Sequence, residues 1–348
     1  MRALAAAGSA LAGLALGLGL AVIAAAPAAA RDQLNLYCSG PVEWCQEMAT
    51  GFQATTGIAV AMTQKSTGEV LAQMRAEAAN PRGDVWWTGQ ADAHLVAAEQ
   101  GLTDPHRPAA LDDLEPWARD LWTASGGRAV GMAGLVVGIG YNTELLAKKN
   151  LPAPACWADL LKPAYRGEIQ MSNPHSSGTA YTILSILVQL HGEDGAFRFL
   201  RDMHANVNSY PRSGIAPTRA VARGETALSL GFVQGFAAEK RAGFPVETAA
   251  PCEGTTLAID AMSIIKGARN RDAARRFYDW ALTPEAQALT AKAGHLHLPA
   301  NRKAPPPPGS PDLSQAKLVS QDLARFGRSA ERSRLLARWD EEIGRLPR

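Results

Sequence analysis

Apolar and polar residues alternate along residues 32–38 (DQLNLYC), and from 42 onward apolar residues recur at helical spacing up to a glycine at 57. The first pattern predicts a short strand, the second a helix closed by Gly57. The same signals follow twice more. Residues 58–62 read as a strand, Ser66 or Thr67 caps a helix over 69–79, 84–87 (DVWW) read as a third strand and 92–100 as a third helix. Later β-rich runs at 134–141, 167–171, 227–232 and 256–265 are separated by helical patterns, and long helices are expected at 272–282 and 284–294. Such alternation predicts an α/β fold with mainly parallel sheets, which bind ligands where strand ends lead into helix N-termini. Residues 304–309 (APPPPG) read as a stiff surface connector. The charged helical pattern over 313–343 is expected to wrap back over the first domain.

The predicted strand ends share a chemistry. Ser39 with Gly40, Ser66 and Thr67 with Gly68, and Thr88 with Gly89 each place a hydroxyl beside a glycine. The stretch NPHSSGTAYT, residues 173–182, sets Ser176, Ser177, Gly178 and Thr179 before an apolar helical run. Hydroxyls there either cap the helix or, with its free amides, hold an anion. Several such loops converging on one crevice favour the anion. His175 is a candidate donor in the same motif, and Arg212 and Arg219 are candidate counter-charges. Alternation sends one of Trp86 and Trp87 into the core and leaves the other to line the crevice. His295 and His297 read as structural.

The ends and the composition narrow the class. A basic start, an apolar stretch over 11–23 and an A-x-A signal at 28–30 predict a secretory signal peptide cut after Ala30. Residues 31–348 then suffice for two domains. A net charge of +2 without a basic block argues against a nucleic-acid partner. The four cysteines, Cys38, Cys45, Cys156 and Cys252, are an even set in an exported chain, which favours disulfides. Three pairings exist; Cys38–Cys45 closes a short loop at a strand-to-helix turn and is favoured, with Cys156–Cys252 as the longer staple. No C-x-x-C, G-x-S-x-G, H-E-x-x-H or P-loop spacing occurs, so metal, redox and hydrolase readings are poorly supported and no cofactor is expected.

Six segments carry a family resemblance: 65–89 (KSTGEVLAQMRAEAANPRGDVWWTG), 134–146 (GLVVGIGYNTELL), NPHSSGTAYT, 213–225 (SGIAPTRAVARGE), 250–255 (APCEGT) and 261–282. In that order, over nearly the full length, the chain resembles periplasmic solute-binding proteins of ABC importers. The branch is that of ferric-ion, hexose-phosphate, phosphonate and thiamine binders. The resemblance implies a two-lobed type 2 binding-protein fold, each lobe a mostly parallel sheet flanked by helices, with two crossing strands near 136–141 and 258–263. Lobe one would be 31–135 with 262–348, and lobe two 136–261. It further implies a non-catalytic, monomeric periplasmic protein that delivers a small molecule to an inner-membrane permease; a sensor kinase is the alternative partner.

Ligand residues follow by the same resemblance. Ferric binders carry adjacent tyrosines, whereas Tyr37, Tyr141, Tyr165, Tyr181, Tyr210 and Tyr278 include no adjacent pair. Hexose-phosphate binders hold phosphate at positions matched here by Ser39, Ser66, Thr67, Thr88, Ser176, Ser177, Gly178 and Thr179. Gln234 and Gly235 replace their sugar-gripping His-Asp pair, and Glu253 matches a further polar position. The expected ligand is a small anionic, phosphorylated organic solute. Ferric ion, a thiamine-type compound or an apolar ligand on the same fold are the alternatives.

Overall fold

The computed structural model describes residues 33–314 and 316–347; the expected signal peptide lies outside the described residues. The chain opens with β1 (Gln33–Cys38), α1 (Val42–Thr56), β2 (Ala59–Gln64), α2 (Thr67–Ala76), β3 (Val85–Gln90) and α3 (Ala91–Glu99). Then follow β4 (Thr103–Asp104), α4 (Pro116–Ala124), the long β5 (Val130–Asn142), α5 (Thr143–Lys149) and β6 (Ile169–Gln170). Next come α6 (Gly178–His191), α7 (Glu193–His204), β7 (Val207–Ser209), α8 (Ala216–Ala222), β8 (Leu228–Phe232), α9 (Val233–Arg241), β9 (Val246–Ala249) and β10 (Leu257–Ile265). The chain closes with α10 (Arg271–Trp280), α11 (Pro284–Lys292), β11 (Leu298–Pro299), α12 (Leu323–Phe326) and α13 (Ser329–Trp339).

Parallel pairing holds where the strand–helix alternation places it, at β2-β1-β3 and at β6 with β7 and β8. Antiparallel pairs join these blocks: β10 runs antiparallel to β3 and β5, and β5 antiparallel to β8. Strand β5 serves both lobes. Its residues 130–136 pair with β10, and 137–142 pair with β8 and β9. The changeover at Val136 and Val137 is the first crossing.

The second crossing lies at Thr255 and Thr256, a few residues before the expected 258–263. The Thr255 hydroxyl donates to the Val137 carbonyl at 2.7 Å, and the Val137 amide donates to Thr256. A third segment lies alongside, since the amide of Val319 donates to the Thr255 carbonyl at 2.7 Å.

Two main apolar cores flank the crossings. One packs Trp44, Phe52 and Trp87 with Phe277; the other packs Trp157, Tyr181 and Phe197. Phe326, Leu335, Trp339 and Ile343 belong to the second core. The C-terminal segment therefore does not wrap over the first lobe alone. It touches that lobe through polar contacts and through Leu323, packed against Ala91 and Leu121, and buries Phe326, Leu335, Trp339 and Ile343 in the other. The two disulfides are Cys38–Cys45 and Cys156–Cys252, leaving no free cysteine among the described residues.

Candidate functional site

Three loops at strand ends and the start of α6 meet between the lobes, around a cleft enclosing about 700 Å³, open solvent at its mouth included. The first lobe supplies Ser39, Ser66, Thr67 and Gln90, and the second supplies Ser177, Gly178 and Thr179. Helices α2 and α6 both present their N-terminal turns here, the ends that carry partial positive charge.

The opening of α6 is built from its own cap. Ser177 has extended backbone and its hydroxyl accepts from the Ala180 amide at 3.2 Å. The cap and the candidate anion donor are thus the same residue. At α2 the arrangement differs. Glu69 accepts from the Ser66 amide at 3.1 Å, while the Ser66 hydroxyl donates across the cleft to the Arg212 carbonyl at 3.3 Å. Behind them Thr88 holds the Ser39 loop. Its hydroxyl accepts from the Ser39 amide at 3.0 Å, and its own backbone sits at φ 62, a conformation β-branched residues rarely adopt. The fully buried His94 ring accounts for its persistence, contacting the Thr88 carbonyl at 3.1 Å and the Ser263 hydroxyl at 2.8 Å.

The lobes are in direct contact around the cleft. Besides the Ser66 contact, the amide of Gly68 donates to the Ser176 carbonyl at 2.8 Å. Arg212 pairs with Glu69 and Arg219 with Glu43 at the rim. These two arginines were candidate counter-charges; each instead bridges the lobes, and neither lines the cleft.

Asp260, on β10, is the one side chain lining the cleft that carries a full charge when ionised, histidines apart, among the described residues. Its Oδ1 accepts from Gln90 Nε2 at 2.7 Å, and Gln90 Oε1 in turn accepts from the Thr67 hydroxyl at 3.3 Å. Burial pushes the Asp260 carboxyl up to about 7, with the Gln90 bond pulling the other way. His295 and His297 close the far side. Burial lowers His295 to about 4 and holds His297 well below the usual histidine range, so both rings are neutral at pH 7. His297 stacks on Trp44 with centroids 4.5 Å apart, and its Nδ1 has no hydrogen-bond partner among the described residues.

Ser39, Ser66, Thr67, Ser177, Gly178 and Thr179 are thus brought together at the cleft. The other four expected residues are placed elsewhere. Thr88 supports the Ser39 loop from behind, and the Ser176 hydroxyl donates to the Arg212 carbonyl at 2.8 Å. Gln234 is fully buried, its Oε1 accepting from the Val136 amide at 2.9 Å at the first crossing. Glu253 accepts from the amides of Trp157 and Ala158 at 2.8 and 2.9 Å, beside the Cys156–Cys252 disulfide. The expectation that Gln234 and Glu253 face a ligand is corrected: one carboxamide fixes a crossing strand and one carboxylate caps a helical turn. His175 pairs with Asp340 at 2.8 Å on the surface. Trp86 and Trp87 are both fully buried, Trp86 donating to the Ser39 hydroxyl at 2.9 Å, so neither lines the crevice.

Two lobes on crossing strands, closing on a polar cleft ringed by helix N-termini, define a solute-binding protein. Residues 87–325 match the bacterial extracellular solute-binding proteins, and the chain belongs to that family. It is 38% identical over 330 residues to an uncharacterized protein of Haemophilus influenzae, covering 94% of this chain and 95% of that one. Among solved structures, AfuA of Actinobacillus pleuropneumoniae, with fructose 6-phosphate bound, superposes with a TM-score of 0.88 at 37% identity. The likeness covers 90% of this chain and 99% of AfuA. The periplasmic binding protein P5PA gives a TM-score of 0.87 at 36% identity, over 90% of this chain and all of P5PA.

Proposed function

We propose that this chain is the non-catalytic, monomeric capture component of an ABC importer, working in the periplasm after removal of a leader ending near Ala30. Its cargo, on this reading, is a small organic anion bearing a phosphate or phosphonate group, handed to an inner-membrane permease when the lobes open. The observation that carries the reading is the α6 N-terminus, with Ser177, Gly178 and Thr179 lining the cleft opposite Ser66 and Thr67. Hydroxyls and free amides at a helix start stabilise an anion through charge-assisted hydrogen bonds. AfuA, similar over nearly its whole length, was solved with a sugar phosphate. Ferric ion fits less well, because a hard trivalent cation needs anionic oxygen donors and none of the six tyrosines lines the cleft.

The test is a thermal-shift screen of the stripped protein against phosphorylated compounds, their dephosphorylated parents, phosphonates, thiamine and ferric citrate. A ligand at 100 times its dissociation constant adds about 2.7 kcal/mol of stability, a shift of a few degrees. Shifts confined to phosphorylated or phosphonate compounds support the reading. A shift with ferric citrate alone, or equal shifts with the parents, would overturn it.

A further inference from the structure

Resting on that reading, we infer that the cargo is zwitterionic: besides its phosphate or phosphonate it carries a cationic nitrogen, which the carboxylate of Asp260 holds. Four observations lead there. Asp260 is 5% exposed, yet lines the cleft. Its Oδ1 is taken by Gln90, and no donor to Oδ2 is found among the described residues. No lysine or arginine lines the cleft among the described residues, and the two histidines that do are neutral at pH 7. Finally, the Gln90 carboxamide bridges the two ends of the site. It bonds Asp260 on one side and touches Gly178 on the other so closely that a Cβ added at Gly178 would lie 1.8 Å from Gln90 Oε1.

An anion at Gly178 and Thr179 therefore sits one carboxamide away from a buried acid. If the ligand were purely anionic, lobe closure would either enclose two like charges, a costly arrangement in a low-dielectric cleft, or leave Asp260 protonated and its charge unused. A protonated nitrogen on the same ligand removes that cost. It neutralises Asp260, gives Oδ2 its missing donor, and leaves the phosphate to the hydroxyls and amides. A plain hydroxyl would satisfy the hydrogen bond but not the charge. Asp260 is thus assigned as the residue that tells aminated from hydroxylated phosphate compounds.

The test is calorimetric titration of the full mature protein with two matched pairs. These are 2-aminoethyl phosphate against 2-hydroxyethyl phosphate, and glucosamine 6-phosphate against glucose 6-phosphate. The inference expects the aminated member of at least one pair to bind at least tenfold more tightly, and Asp260→Asn to abolish that preference. Equal affinities within both pairs, or tighter binding of the hydroxylated members, overturn the inference while leaving the phosphate reading standing. Absence of binding by every phosphorylated compound overturns the phosphate reading and this inference together. Should Asp260→Asn not fold, the wild-type ratios alone decide.

Discussion

The amide of Gly68 donates to the carbonyl of Ser176 at 2.8 Å, joining the first turn of α2 in one lobe to the loop that starts α6 in the other. The contact is possible because residue 68 has no side chain. A Cβ built there would lie 2.0 Å from the His175 carbonyl oxygen and 3.1 Å from Ser176 Cα, backbone atoms that cannot rotate aside.

Gly68→Ala should therefore block lobe closure without harming the fold. Alanine is no worse a helix former than glycine in this first turn, so the ligand-free protein should melt at the same temperature or higher. Affinity for a phosphorylated ligand is expected to fall at least tenfold, and small-angle scattering should show no compaction on ligand addition. Wild-type affinity in the variant would mean that this contact is not part of the bound state.

Capping and anion binding at α6 separate by substitution. Ser177→Ala removes a cap bond and should cost about 1 kcal/mol of stability in denaturant melts. Thr179→Val removes a hydroxyl from the same turn without touching the cap. It should leave stability nearly unchanged and weaken ligand binding by about 1.5–3 kcal/mol, the worth of a hydrogen bond to a charged group. Unchanged affinity in Thr179→Val would confine the motif to capping.

Much of this site was legible in the chain because its first half is local. Ser39, Ser66, Thr67 and Ser177 to Thr179 each sit at a strand-to-helix turn, and such turns announce themselves by hydroxyls beside glycine. Asp260, Gln90, His295 and His297 were not read as site residues. Asp260 lies mid-strand in β10, an apolar run whose antiparallel insertion beside β3 follows from no local pattern. Gln90 ends a strand that runs three residues past the apolar stretch suggesting it. The hydroxyl-plus-glycine rule also overreached. Thr88 fits it but turns its hydroxyl to the Ser39 amide, a choice made by tertiary contacts with His94. Gln234 and Glu253, carried over by family position, are spent on the crossing strand and on a cap.

The C-terminal segment straps the lobes through one buried ion pair. Arg332 on α13 bonds Asp92 on α3, and its guanidinium lies 4.0 Å above the Tyr181 ring of α6. Both charged side chains are almost fully buried. Arg332→Met leaves Asp92 without its counter-ion and should destabilise the protein by about 3–5 kcal/mol in urea melts. Adding Asp92→Asn should restore part of that loss. A single-variant cost below about 1 kcal/mol would mean that the pair is solvated and the strap loose.

Burial of neutral histidines sets the acid limit of stability. Burial pulls His94 from 6.5 down to about 3, and His295 down to about 4. Between those values and 6.5 the unfolded chain binds protons that the folded chain refuses, so these groups make stability fall as pH drops below about 6.5. Asp92 and Asp260 act oppositely. Burial raises them from 3.8 to about 6 and about 7, so the folded chain keeps protons that the unfolded chain has released, and their contribution declines as pH rises across that range. His94→Gln should be less stable than wild type at pH 7, with the gap shrinking by pH 4.5. Parallel stability curves for the two proteins would show that His94 titrates normally.

The most direct test of the central claim is a calorimetric titration of the stripped mature protein with a hexose 6-phosphate, an amino-hexose 6-phosphate and their unphosphorylated parents. The account predicts saturable one-to-one binding of at least one phosphorylated compound, none by its parent, and loss of affinity in Thr179→Val. Equal binding of a parent sugar, or binding unaffected by Thr179→Val, would contradict an anion seated at the start of α6.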